Sequence, residues 1–108
     1  MSVTVHRSDF RMEILSDAIP DASYLYQEGW EERKAQYERG AFNFVGVRAV
    51  IAIPLPDNDG CTTTVYITSS GLWGIESDSG EQYFADVFNE ECGELCKTLT
   101  ALGVTVVD

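Results

Sequence analysis

The residues with the greatest chemical reach in this chain are carboxylates. Glu76, Asp78, Glu81, Asp86, Glu90, Glu91 and Glu94 lie within one stretch that contains no Lys or Arg. Asp86, Glu90 and Glu94 recur at every fourth position. On a helix that spacing makes a stripe with about 6 Å of rise between charges. Carboxylates so spaced resemble backbone phosphates in reach, which suits a Lys/Arg-lined nucleic-acid channel. Glu91, Glu76 and Asp78 form the margin of the stripe. Trp73 just upstream, or Trp30, adds an apolar anchor of the kind enriched at binding hot spots. The plainer alternative is an ordinary solvated helix face, with Trp73 closing the core between its flanking Gly71 and Gly74.

Other chemistry finds little support. Nucleophilic and acid–base catalysis need a positioned pair, and His6 is the only histidine. No G-x-S-x-G elbow or Walker loop is present. Cys92 and Cys96 are four apart and would share one side of a helix, but a structural zinc site needs four ligands. Cys61 and His6 would have to complete it from far away, so the three cysteines read as small core hydrophobes. The DNDG run at 57–60 lacks the further carboxylates of a calcium loop and reads as a turn. No catalytic residue, metal or cofactor is expected.

Charge sets the class of partner. Eighteen acids face seven Lys and Arg, for a net charge of −11 over 108 residues. Phosphate backbones and anionic lipid surfaces repel such a chain, so neither direct nucleic-acid binding nor a membrane is expected. A basic protein surface, including one whose own work is to hold nucleic acid, is attracted. Apolar residues make up 44% and charged residues 23%, as in globular domains. One domain spanning 1–108 is expected, with 1–8 the segment most prone to fray. An odd cysteine count, no charged-then-apolar leader and no apolar run near 18 residues point to a cytoplasmic setting.

The elements that must position these groups follow from periodicity. Phe10–Leu15 alternates, with Phe10, Met12 and Ile14 on one face, and reads as a half-buried strand. Tyr24–Arg39 reads as a helix capped by Asp21 or Ser23, with Gly29 a weak point inside it. Ala41–Leu55 and Cys61–Thr68 are β-rich runs around the DNDG turn, hence a hairpin. Pro54 and Pro56 put its end at an edge, one that could pair with another copy. Ser69–Ser79 reads as a loop. Glu81–Leu102 is a second helix, with Phe84, Phe88, Cys92, Leu95 and Leu99 on one face and a Ser79-x-x-Gln82 capping box. Val104–Val107 is a short last strand. The prediction is an α+β fold: a small antiparallel sheet of three or four strands with a central hairpin, and two helices packed on one face.

Two runs, GLWGIESDSGEQYF (71–84) and EGWEERKAQYERGAFNFVGVRA (28–49), resemble a family of small proteins from bacterial, plasmid and phage genomes. That resemblance supplies context and no catalytic residues. A small acidic protein of such an origin is similar in class, though in no motif, to anti-CRISPR proteins and other nucleic-acid mimics. The reading is therefore a non-enzymatic inhibitor that binds a basic, nucleic-acid-handling host protein through Glu76, Asp78, Asp86, Glu90, Glu91, Glu94 and Trp73. The alternative is a structural or oligomeric accessory domain, such as a homodimer, in which acid serves solubility.

Overall fold

A computed structural model describes residues 3–108. Met1 and Ser2, part of the N-terminal run Met1–Val5, lie outside the described residues. The organising element is β3 (Phe44–Pro56), a 13-residue strand rich in Val and Ile. β2 (Arg11–Ser16) pairs antiparallel with its first half, in register from Arg11 opposite Val50 to Ser16 opposite Val45. The other edge of β3 is shared by β4 (Thr62–Thr68) and β5 (Leu72–Glu76), both antiparallel to it. β1 (Val3–His6) and β6 (Val104–Val107) form a separate parallel pair. The α+β class and the antiparallel sheet built on a central hairpin are as expected.

α2 (Glu81–Ala101) lies over one face of β3. Its Cys92, Leu95 and Leu99 pack on Ala49, Ile51 and Ile53, together with Val5 and Phe10. Val87 meets Val45, Val47 and Ile75 at the other end of the strand. Leu95 and Leu99 are fully buried. Truncating either to Ala would cost about 2–5 kcal/mol.

α1 (Glu31–Glu38) does not share that face. Tyr37 packs on Phe42 and Phe44, with Leu25 completing the cluster. Phe44 and Val45 are neighbours on a strand, so their side chains leave it on opposite sides. The small aromatic core under α1 therefore lies across the sheet from α2. The predicted single helix over Tyr24–Arg39 is two pieces, a 3-10 turn at Ser23–Tyr26 and α1. Gly29 takes φ 95° between them, in the left-handed region that ends a helix. Asp21 serves the first piece only: its carboxylate accepts from the Ser23 N–H and hydroxyl.

Two further expectations change. Part of the Ser69–Ser79 loop is strand β5. Its Trp73–Gly74 pair bulges opposite Gly46, which sets the ladder out of phase between Val45 and Val47. The capping box is absent, because α2 starts from Gly80 with no side-chain cap. The Ser79 hydroxyl instead donates to the Glu76 carbonyl, and Gln82 donates to Asp86. On β2, Phe10 just before the strand is buried, but Met12 and Ile14 are exposed. α2 covers β3 and does not reach over this outer strand.

The molecule is long, 59 × 27 × 21 Å, with a radius of gyration of 18.1 Å. A compact chain of this length would have about 13 Å. The β3–β4 hairpin accounts for the difference: Pro54, Pro56 and Thr62–Tyr66 are exposed as the ribbon runs out past α2.

Candidate functional site

The acids read as one stripe separate into three groups. Glu76 and Asp78 belong to a clamp between α1 and the end of β5. The Tyr24 hydroxyl donates to Glu76 at 2.7 Å, and Arg33 approaches the same carboxylate at 3.3 Å. Arg33 also grips Asp78 with both terminal nitrogens, Nη1 at 2.9 Å. Its guanidinium stands 3.6 Å above the Phe42 ring. Planar, forked and weakly hydrated, guanidinium suits a site with a carboxylate at its edge and an aromatic at its face. Arg33 holds the Asp78 carboxyl below its ordinary range. Burial, then the bond to Glu76, pushes the Tyr24 hydroxyl up to about 12.

Glu91 and Glu94 form the second group and turn inward to the β4–β5 junction. There the chain leaves the β3 ladder, and its N–H groups need other acceptors. Glu91, 8% exposed, accepts from the Gly71 N–H at 2.7 Å. Glu94 accepts from the N–H and the hydroxyl of Ser70. Those bonds, the hydroxyl first, lower the Glu94 pKa. Helix α2 thus uses two carboxylates to complete a kink in the sheet.

Asp86 and Glu90 are the third group, and face solvent. Asp86 meets only Gln82, and Glu90 has no side-chain partner among the described residues. Tyr83, exposed, shares this outer face, and Lys97 ends it. The division follows from helix geometry. Residues advance about 100° each, so a step of four drifts by about 40°. Measured from buried Leu95, Asp86 lies about 180° away, Glu90 about 140°, Glu94 about 100° and Glu91 about 40°. The wheel was therefore readable in the sequence. The Arg33 and Tyr24 partners of Asp78 and Glu76 were not, since no local pattern links positions so far apart.

Trp73 lies flat on β3, over the residue that has no side chain. A Cβ on Gly46 would sit 2.2 Å from the indole Cε3. The indole N–H donates to the Ser70 carbonyl at 3.0 Å. The ring remains 42% exposed, so it is neither a sealed plug nor a free anchor. Nearby, the Gly74 N–H donates to Asp17, which fixes the bulge.

The thiols occupy three settings. Cys92 is buried in the core, where desolvation raises its pKa; Cys96 is half-buried; and Cys61 is exposed before β4. Among the described residues no three His, Cys, Asp or Glu side chains converge as metal ligands, and no pocket forms. No helix there is long and apolar enough to cross a membrane. Comparison with family models, curated proteins and solved structures returns no match.

Proposed function

We propose that the protein is a non-catalytic inhibitor that sets the outer face of α2 against a basic protein surface, of the kind that grips DNA or RNA. The observation carrying this reading is the set of outward carboxylates, Asp86 and Glu90, that have no cationic partner among the described residues, in a chain of net charge −11. Tyr83, exposed on the same outer face, supplies an aromatic contact. Exposed Glu31 and Glu32 on α1 add to the field that speeds encounter with a cationic surface. Glu76, Asp78, Glu91 and Glu94 act in this reading as supports and not as contacts. A cytoplasmic host protein and an anti-CRISPR-like role fit the same chemistry.

The test is capture of nucleic-acid-handling proteins from a bacterial lysate at low and high salt, followed by competition with duplex DNA and with RNA. Binding is expected to weaken with salt, to be competed by nucleic acid, and to be lost in Asp86→Lys/Glu90→Lys with the circular dichroism unchanged. Full binding by that double variant defeats the proposal.

A further inference from the structure

Strand β4 pairs with β3 and with nothing else among the described residues. The phase of that ladder is fixed at both ends. The Ser69 N–H donates to the Ala49 carbonyl, and the Asp57 N–H to the Cys61 carbonyl, each at 2.9 Å. In an antiparallel pair both main-chain groups of one residue point the same way, and those of the next point the other way. Thr63, Val65 and Ile67 therefore face β3. The N–H and C=O groups of Thr62, Thr64, Tyr66 and Thr68 face outward, along an open edge.

The opposite edge of the hairpin is closed. The same phase turns Ala52, Pro54 and Pro56 outward on β3, beyond Val50 where pairing with β2 ends. Pro has no N–H to offer, so this edge resists strand addition. The expectation that the Pro-ended edge pairs with another copy is thus reversed. Edge strands are ordinarily blunted by charge, proline or a bulge. β4 carries none of these: Cys61–Ile75 contains no proline and no charged residue. Val65 at 38% and Tyr66 at 69% exposure leave both faces of the strand bare. A two-stranded ribbon without cover is marginal in water.

We infer that β4 pairs antiparallel with β4 of a second copy about a two-fold axis, making one sheet continuous across two chains. The uncharged strand admits a second copy and gives a cationic partner nothing to grip. Two chains of net −11 repel over most of their surfaces, and β4 is the edge where they meet without carboxylates on either strand. A cationic partner would instead seek the acids. Geometry agrees. Pairing centred on Val65 sets it beside its own counterpart, with Thr64 opposite the second copy's Tyr66 and Thr62 opposite its Thr68. Every outward N–H then meets a C=O. The interface is self-complementary, and because each copy's β4 edge is used once the two-fold contact closes at two.

This inference is independent of the inhibitor reading, since a dimer forms or fails whatever the α2 face binds. The test combines sedimentation of the full chain across the micromolar range with amide exchange read by NMR. The expected result is a doubling of sedimenting mass as concentration rises. Protection should appear with it at Thr62, Thr64, Tyr66 and Thr68, while Thr63, Val65 and Ile67 stay protected throughout. Thr64→Pro removes an outward N–H and no bond to β3, and should give a monomer with native circular dichroism. Should that variant misfold, Thr64→Lys keeps the backbone, adds a charge to the edge and should weaken the dimer. A chain that stays monomeric throughout, a dimer whose outward amides exchange as freely as the monomer's, or protection gained only with a different protein overturns the proposal.

Discussion

Glu90 and Glu91 are adjacent acids on one helix, and the structure gives them opposite roles. Glu91→Ala removes the acceptor of the part-buried Gly71 N–H. A hydrogen bond to a charged group contributes about 1.5–3 kcal/mol net, and a stranded buried donor costs a similar amount. Two effects work against that loss. Ala gains a few tenths of a kcal/mol in helix propensity, and the substitution relieves the burial of a carboxylate that is 8% exposed. The net expectation is a loss of about 2 kcal/mol, a sizeable part of the ~5–15 kcal/mol that holds a domain together. Glu90→Ala removes no side-chain bond among the described residues and should stay within about 0.5 kcal/mol of the parent. Urea titration by circular dichroism separates them. At a slope near 2 kcal/mol per molar, Glu91→Ala should lower the midpoint by about 1 M with the slope unchanged, and Glu90→Ala should leave it in place. Glu91→Gln keeps an acceptor oxygen and should recover part of the difference. Equal midpoints for the two Ala variants would refute the claim that α2 spends carboxylates on the β4–β5 kink.

Two more expectations rest on single contacts. Gly46→Ala puts a methyl group into the indole of Trp73; the ring must lift, at about 1–3 kcal/mol for the misfit. In a Trp30→Phe background the emission should shift to the red and the melting temperature fall, and an unmoved spectrum would contradict the stacking. The pH dependence has two arms. Asp78, held by Arg33, and Glu94, held by Ser70, have folded pKa values below their ordinary 3.8 and 4.5. Their stabilisation is therefore present above those ordinary values and is lost as pH falls through the lower folded ones. Tyr24 runs the other way: its folded value of about 12 exceeds the ordinary 10.0. The folded chain keeps a proton that the unfolded chain releases, so stability declines as pH rises from about 10 to 12. Denaturation across both ranges checks this, with Ser70→Ala flattening part of the acid arm and Tyr24→Phe part of the alkaline one.

What the sequence disclosed was what short-range periodicity encodes. The DNDG turn between β-rich runs gave the hairpin, and the stripe from Phe84 to Leu99 gave α2. What it withheld depends on contacts between distant positions. β5 hides inside a Gly-rich run, because the bulge at Trp73–Gly74 breaks the alternation that marks a strand. Arg33 looks like one more member of an amphipathic stripe until Asp78, Glu76 and Phe42 are brought to it. α1 is short because Gly29 breaks it, and it is held by those contacts more than by its own propensity, as brief helices generally are. The acidic stripe is a different case. Spacing by four suggests one shared orientation for Asp86, Glu90 and Glu94, but the drift of the helix turns Glu94 toward the β4–β5 junction and sets Glu91, next to Glu90, further in.

That drift bears on how the charge of the whole chain should be read. Net charge counts every carboxylate alike, but a carboxylate that accepts an internal N–H or grips Arg33 is already partnered and would have to break that contact to bind elsewhere. Four of the seven acids between Glu76 and Glu94 are engaged in this way. The same bonds that withdraw them from a stripe tie the β4–β5 junction to α2 and β5 to α1. The end of β4 nearest α2 is thereby held, while its hairpin end runs free. Helix α2 and the open edge of β4 are consequently tied at one corner, Ser70–Gly71. Loosening that corner by Glu91→Ala should disturb both the α2 face and the β4 edge, whereas charge reversal at Asp86 and Glu90 should leave strand pairing intact.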